Sequence, residues 1–332
     1  MPVRYLSRAF AFLLTVSGMP AHAANAPGRE PAIRVGILLF DGVQIIDSTG
    51  PYEVFGTADF GVVTVSQRGK PITTAMGMKV TPDVSFADAP PFDVLVVPGG
   101  DVGDAERDGA LLDFVRTRAR SSRIVLSVCT GAFILASSGV LDGLQATTFT
   151  PRIDEFARRY PAVHVVKDVR WTDNGHVVTS AGLSSGIDAA LHVVERLRGA
   201  DQARSVALHL EYDWKPAGVF VRSRMADRYL PKSELQKAVD WPSDLAMSQQ
   251  FSVGDEQQWR MRFDVRSATP AEELVRRIGR GVDSLPGWKR QRGRDQWISD
   301  QEGRRVALDA TAIPGSSVSA YALEIKVSVA PQ

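Results

Sequence analysis

The sequence predicts an α/β fold, a doubly wound parallel sheet, followed by a small C-terminal α+β domain. Three continuous apolar runs, at 35–40, 94–97 and 124–128, have the length and character of strands buried on both faces. Apolar residues at helical spacing occur between and after them, as in 109–120 and 187–197. Strands that alternate with helices are typical of a parallel sheet covered by helices on both faces.

Chemically active residues follow directly after these predicted strands. Asp47, the Gly99-Gly100 pair and Cys129 each come just after a strand end. Because ligands bind at the carboxyl ends of the strands in doubly wound sheets, these residues are expected to meet at one edge of the sheet.

Cys129 is the only cysteine of the 332-residue chain and lies where a predicted strand gives way to a predicted helix. A strained strand-to-helix turn would hold its side chain out of the sheet, and the small Gly131 would let the backbone turn closely. Backbone N–H groups and the positive end of the helix dipole predict a stabilised thiolate with a lowered pKa. A small buried apolar side chain is the alternative interpretation.

Four sequence blocks in order resemble the ThiJ/PfpI superfamily. They are 37–55, 92–100, 127–143 with Ala146-Thr-Thr148, and 179–188. The resemblance covers roughly residues 33–215 and implies a flavodoxin-like domain at 33–222. It is strongest to the isonitrile hydratase-like branch and to the amidase-like domains of AraC-type regulators.

The resemblance implies a reacting set of Cys129 as nucleophile, Asp47 as acid and Thr130 as a donor beside them. Apolar neighbours of Asp47 would raise the pKa of its carboxyl by desolvation. The alternative for Asp47 is a helix N-cap, for which Ser48 and Thr49 compete.

Two further candidates complete the predicted site. Gly99 and Gly100 suit a loop whose bare N–H groups face developing negative charge, or else a tight turn without a ligand. Glu53, the second acid of the first block, is either a supporting residue that positions Asp47 or a carboxylate on the helix surface.

Phe149 and Thr150 stand where many relatives carry a histidine after the Ala-Thr-Thr block. This difference weakens a peptidase-like or glyoxalase-like interpretation, which needs a cysteine–histidine pair. The histidines of this sequence lack metal-ligand spacing, so no metal is expected. A phosphate-binding Gly-x-x-x-x-Gly-Lys loop is absent from the sequence, and no cofactor is expected.

The N-terminus has the pattern of a secretory signal. Arg4 and Arg8 precede the apolar run 9–16, and Ala21-His-Ala23 fits a signal peptidase site. Residues 1–23 are therefore predicted to be cleaved and the protein to be periplasmic or secreted, the alternative being an uncleaved anchor helix. A formal charge of +1 gives no basic excess for nucleic acid or an anionic membrane.

The pattern changes after about residue 222. Apolar residues alternate with polar ones in 259–265 and 321–329, and they recur every four residues in a segment that starts after Pro270. This predicts a C-terminal α+β domain at 250–332, joined by a polar stretch around 231–256. Its role is either a partner- or substrate-facing module or a packing and dimerisation appendage.

These observations predict an exported, cofactor-independent, cysteine-dependent hydratase or hydrolase acting on a small electrophile. By resemblance, the reaction would convert an isonitrile to an N-substituted formamide through Cys129 and Asp47. The alternative is a non-enzymatic small-molecule sensor or scaffold of the same fold. The expected partners are a small-molecule substrate and a second copy in a homodimer, with no nucleic acid and, after signal cleavage, no membrane.

Overall fold

Two β-sheets organise the part of the chain that this computed structural model describes, residues 33–216, 220–291 and 295–331. The predicted signal segment, 1–23, lies outside the described residues. The strands of the first half are β1 Arg34–Leu38, β2 Gly61–Ser66, β3 Ile72–Thr73, β4 Lys79–Val80, β5 Val84–Ser85, β6 Val94–Val97, β7 Ile124–Val128, β8 Gln145–Ala146, β9 His164–Val165, β10 Trp171–Asp173 and β11 Val177–Ser180. Its helices are α1 Ile45–Thr57, α2 Gly109–Ser121, α3 Gly131–Ser137, α4 Ile153–Arg159, α5 Ser184–Arg198 and α6 Ala200–His209, with 3₁₀ turns at Ala105–Arg107 and Thr150–Arg152.

The first sheet has the strand order β10-β11-β7-β6-β1-β2-β5. Its strands are parallel except for β10, which pairs antiparallel with β11. The three apolar runs form β1, β6 and β7, and these strands are neighbours at the centre of the sheet with almost wholly buried side chains. The predicted α/β fold with a parallel sheet is therefore confirmed.

The strand order brings Asp47, the Gly99-Gly100 pair and Cys129 to one edge of the sheet. Because β1, β6 and β7 are adjacent and parallel, the segments that follow them meet at their shared carboxyl ends. An isolated bridge between Val43 and Gly100, and a hydrogen bond from Gln44 N–H to the Gly99 carbonyl (2.8 Å), tie the segment after β1 to the segment after β6.

The second half of the chain forms an antiparallel sheet in the order β12-β13-β17-β16-β15-β14. Its elements are α7 Lys232–Ala238, β12 Ala246–Gly254, β13 Gln258–Arg266, α8 Ala271–Asp283, β14 Lys289–Arg290, β15 Gln296–Gln301, β16 Arg304–Ser317 and β17 Ala320–Val329, with 3₁₀ turns at Val221–Arg224 and Ala226–Tyr229. The two alternating apolar patterns are β13 and β17, and the four-residue repeat after Pro270 is α8, whose Leu274 and Ile278 are buried. The predicted α+β character of this half is confirmed.

The stretch around 231–256 is more than the polar joining segment predicted from sequence, because it contains α7 and β12. β12 is an edge strand with mostly exposed residues, so it lacks the apolar alternation by which strands are recognised. The apolar core of this half already includes Ala226 and Leu235. The domain limits 33–222 and 250–332 stay predictions. Among the helices of the described ranges, none is long and apolar enough to cross a membrane.

Candidate active site

Cys129 occupies a strained turn between β7 and α3. Its backbone φ is 56°, in the left-handed region that residues with side chains seldom adopt. The turn is fixed from two directions, because the Cys129 N–H donates to the carbonyls of Ser180 and Ala181 (3.1 and 3.2 Å), and the Cys129 carbonyl accepts from the Thr148 hydroxyl (2.8 Å). Such strain costs about 1–3 kcal/mol and persists where surrounding contacts enforce it. The predicted strand-to-helix turn is thus present.

Thr148 is a site residue that sequence reasoning did not single out. Its side chain is fully buried and its hydroxyl holds the Cys129 carbonyl. The available signal was its position at the end of the Ala146-Thr-Thr148 block, which was used only as part of the family resemblance.

Two glycines allow the segments around the turn to approach closely. A β-carbon at Gly131 would lie 2.1 Å from the Val97 carbonyl oxygen, and one at Gly99 would lie 2.5 Å from Thr130 N and 3.0 Å from Asp47 Oδ2. Contacts this short are not tolerated in a close-packed interior, so larger residues here would push Asp47 and the cysteine turn apart.

Asp47 lies in the first turn of α1 and is completely buried. Its Oδ2 accepts a hydrogen bond from the Gly99 N–H (3.3 Å), whereas Oδ1 is buried with no hydrogen-bond partner among the described residues. Burial raises the pKa of Asp47 to about 6, and hydrogen bonds from the Cys129 thiol and from the N–H groups of Gly99 and Leu183 only partly offset that effect. The carboxyl therefore contacts the thiol and the glycine loop, an arrangement different from an N-cap.

The thiol of Cys129 does not have the lowered pKa that its position predicted. Burial, followed by the charge of Asp47, raises the pKa of Cys129 to about 12, against weaker lowering effects from the Thr130 N–H and hydroxyl. Cys129 is only 5% exposed, and α3 has only seven residues. Desolvation and a neighbouring carboxylate therefore outweigh the helix terminus, and the sequence-based prediction is wrong in sign.

The two groups consequently act as one acid–base pair. Asp47 ionises near pH 6 and Cys129 near pH 12, so at neutral pH the pair holds one proton, on sulfur. In this state the Asp47 carboxylate is placed to accept the thiol proton as sulfur attacks an electrophile.

Thr130 is bound to the glycine loop after β6. Its hydroxyl donates to the Gly100 carbonyl (2.9 Å) and accepts from the Gly100 N–H (2.8 Å), while its own N–H faces the Cys129 thiol. The Gly99 N–H already donates to Asp47. Both glycine N–H groups thus have partners within the protein, where they hold Asp47 and Thr130. This favours the interpretation of Gly99 and Gly100 as a tight turn, and their role as donors to substrate charge stays a prediction.

Glu53 does not support Asp47. It lies six residues further along α1, about 240° around the helix axis, and its side chain is exposed. The structure therefore favours the helix-surface interpretation of Glu53.

Two histidines of the described residues, His176 and His192, have partners outside this site. His192 lies 2.8 Å from Asp173 and stacks on Trp171, and the His176 ring nitrogens face the carbonyls of Ala119 and Arg123. No group of three or more His, Cys, Asp or Glu side chains within the described ranges is arranged to hold a metal ion.

Comparison with known proteins identifies the family of the chain. The DJ-1/PfpI family model matches residues 33–196. Isonitrile hydratase of Pseudomonas putida is 40% identical over 185 residues, which cover 54% of this chain and 79% of that enzyme. The chain belongs to the DJ-1/PfpI family. This confirms the resemblance seen in the sequence blocks.

The chain is also similar to a transcriptional regulator and to solved structures. The HTH-type transcriptional regulator GbdR of Pseudomonas aeruginosa is 26% identical over 57% of this chain, a match that spans about half of the regulator's own length. A ThiJ/PfpI family protein from Pseudomonas syringae has a TM-score of 0.51 at 28% identity, covering 59% of this chain and 85% of that structure. DJ-1β of Drosophila melanogaster has a TM-score of 0.50 at 23% identity over 55% of this chain and 99% of that structure, which supports the fold alone.

Proposed function

We propose that this protein is an exported, cysteine-dependent hydratase that adds water to an isonitrile and releases an N-substituted formamide. The observation that carries the proposal is the buried pair of Asp47 and Cys129, in which a carboxyl that has no ion pair among the described residues faces a thiol on a strained turn. The 40% identity to an isonitrile hydratase supports the choice of substrate.

In the first step, the Cys129 sulfur forms a bond to the terminal carbon of the isonitrile. The thiol proton passes to the Asp47 carboxylate, and the resulting carboxylic acid then delivers it to the same carbon. The product is a thioformimidate, R–N=CH–S–Cys129, in which sulfur and hydrogen have both added to one carbon. Asp47 ends the step as a carboxylate, as it began.

In the second step, water attacks the thioformimidate carbon and Asp47 accepts a proton from the water. Asp47 passes this proton to the substrate nitrogen, which gives the tetrahedral adduct R–NH–CH(OH)–S–Cys129. The C–S bond then breaks, and Asp47 carries the remaining hydroxyl proton to the sulfur, so that the formamide and the free thiol form together. The sum is isonitrile plus water to formamide, without an oxidant or reductant. The Thr130 N–H, which faces the sulfur, stabilises negative charge as it develops there.

Export rests on the N-terminal pattern of Arg4, Arg8, the apolar run and Ala21-His-Ala23. The mature protein recovered from the periplasm or medium should begin near residue 24 by mass spectrometry. A protein that retains residues 1–23 would contradict this part of the proposal.

The decisive experiment is an assay of the purified protein with alkyl and aryl isonitriles, with the formamide followed by NMR. Cys129→Ser should abolish turnover, and kcat/KM should rise about tenfold per pH unit up to about pH 6 and then level, because the singly protonated pair is the reactive form. No formamide from any isonitrile, or a rate that falls as pH rises through 6, would overturn the proposal.

A second candidate, a sensor that binds a small molecule without turnover, is favoured by the raised pKa of the thiol near 12 and by its low exposure. A ligand would stabilise such a protein to the same extent in the wild type and in the Cys129→Ser variant, and no product would be released. A loss of ligand stabilisation in Cys129→Ser, together with product release by the wild type, favours the enzyme.

A further inference from the structure

The Phe149 ring and the Cys129 thiol both lie close to Gly182. A β-carbon at Gly182 would lie 2.6 Å from Phe149 Cδ2 and 3.3 Å from Cys129 Sγ. A side chain at position 182 would therefore collide with the ring. Because residue 182 is glycine, the half-buried Phe149 ring packs against the backbone next to the reacting sulfur.

Leu183, which follows Gly182 directly in the chain, has an apolar side chain. Its N–H faces the Asp47 carboxyl, yet its side chain is 40% exposed and its φ of 58° lies in the left-handed region. A leucine held in this backbone conformation is strained, and strain of this kind is concentrated at ligand-binding sites. The peptide that contacts the acid thus also presents an exposed apolar group.

We propose that Phe149, Gly182 and Leu183 form an apolar subsite that binds the N-substituent of the substrate. This rests on the proposed function and specifies its substrate class, isonitriles that carry a bulky aliphatic or aromatic group. An isonitrile is linear, so when its terminal carbon meets sulfur, its substituent extends away from the Asp47–Cys129 pair. A substituent that covers the apolar surface beside the thiol removes this surface from water, which makes binding more favourable.

The position of Phe149 also separates binding from proton transfer. A phenyl ring contributes contact area but cannot exchange a proton. Proton transfer at this site is accordingly assigned to Asp47, and Phe149 is assigned to substrate selection.

The test compares the rates at which Cys129 is alkylated by iodoacetamide and by N-benzyl-iodoacetamide, each divided by the rate for glutathione. The same sulfur reacts with both reagents, so the thiolate fraction cancels in the ratio. In the wild type the benzyl reagent should be favoured roughly fivefold to twentyfold, as expected for burial of one aromatic group against apolar surface. In Phe149→Asn the preference for the benzyl reagent, relative to glutathione, should fall close to one.

Leu183→Gly guards against a folding defect in the first variant, because it removes the apolar group and relieves the backbone strain. Leu183→Gly should lower the logarithm of the benzyl preference by about half or more. Tyr52→Ala is the matched control, since Tyr52 is an exposed aromatic residue of α1 and should leave the ratio unchanged.

An unchanged ratio in both subsite variants would overturn the subsite. A ratio that falls as expected, in a protein that hydrates no isonitrile, would keep the subsite and contradict the proposed function instead. With turnover, kcat/KM for benzyl isonitrile should fall more in Phe149→Asn than kcat/KM for methyl isonitrile, and an equal fall for both would also contradict the subsite.

Discussion

Asp47 in the parallel-sheet half and Asp227 in the antiparallel half are both almost completely buried carboxylates, yet their pKa values shift in opposite directions. Burial raises the pKa of Asp47 to about 6. Burial also acts upward on Asp227, but its hydrogen bonds and ion pairs to Arg222 and Lys232 more than compensate, so its pKa lies below the usual value. Arg222 donates to both carboxylate oxygens at 2.6 Å, and Lys232 lies 3.0 Å away.

The difference indicates that Asp227 has a structural role, whereas Asp47 is suited to proton transfer. Asp227 has two cations and a bidentate hydrogen bond, the arrangement that makes a buried charge tolerable. Asp47 instead has a thiol, two N–H groups and one oxygen without a partner among the described residues. A buried carboxyl left poised near neutral pH is expensive for folding and useful for proton transfer. The comparison therefore supports the proposed proton-transfer role of Asp47.

The largest expected effect is on catalysis. Asp47→Asn keeps the size and shape of the side chain but cannot exchange the proton between sulfur and carbon. Turnover of an isonitrile should fall by roughly 10²- to 10⁴-fold, the usual size of a general acid–base contribution. The corresponding change at the other buried acid, Asp227→Asn, should leave turnover per folded molecule almost unchanged. Equal losses in the two variants would contradict the distinction between them.

The next effect is on stability, and here the larger change is expected at Asp227 and not at Asp47. Asp227→Asn leaves Arg222 and Lys232 without their anionic partner at the edge of the second core. The free energy of unfolding should fall by about 2–4 kcal/mol, toward the low end because both cations are partly exposed. Urea unfolding followed by tryptophan fluorescence would measure it. A loss below about 0.5 kcal/mol would mean that the pair is not a structural necessity.

A third effect is the dependence of stability on pH that the raised pKa of Asp47 causes. The pKa of Asp47 is raised from 3.8 to about 6 in the folded protein, so the folded state holds this proton more tightly than the unfolded state. Stability from this group is complete below pH 3.8 and is lost as pH rises through 6, by up to about 3 kcal/mol. Asp47→Asn lacks this titration. Its stability relative to the wild type should increase between about pH 4 and pH 7.5, and a constant difference would contradict the raised pKa.

Much of the first half could be predicted because its strands are buried on both faces. Continuous apolar runs marked β1, β6 and β7, and the rule for parallel sheets then brought Asp47, the glycine pair and Cys129 to one edge. β12 escaped prediction because an exposed edge strand has no apolar alternation.

The parts of the site that could not be predicted depend on three-dimensional environment. The direction of the Cys129 pKa shift follows from burial and from the nearness of a carboxylate that is remote in the sequence, neither of which a local motif encodes. The use of the Gly99 and Gly100 N–H groups depended on which acceptors folded against them. Leu183 lies in the block 179–188 but carried no signal of its own, because its importance lies in a positive φ and a backbone N–H.

The smallest expected effect concerns the two acids of α1. Glu53 lies on the same helix as Asp47 and in the same sequence block, but its side chain is exposed. Glu53→Gln removes its charge at an exposed position, so the free energy of unfolding should change by less than about 0.5 kcal/mol and isonitrile turnover should stay at the wild-type level. Paired assays of Glu53→Gln and Asp47→Asn at about pH 7.5, where the Asp47 carboxyl is ionised, would measure both. A large loss of turnover in Glu53→Gln would show that charge on the helix surface reaches the pair, and that burial alone does not set the pKa of Asp47.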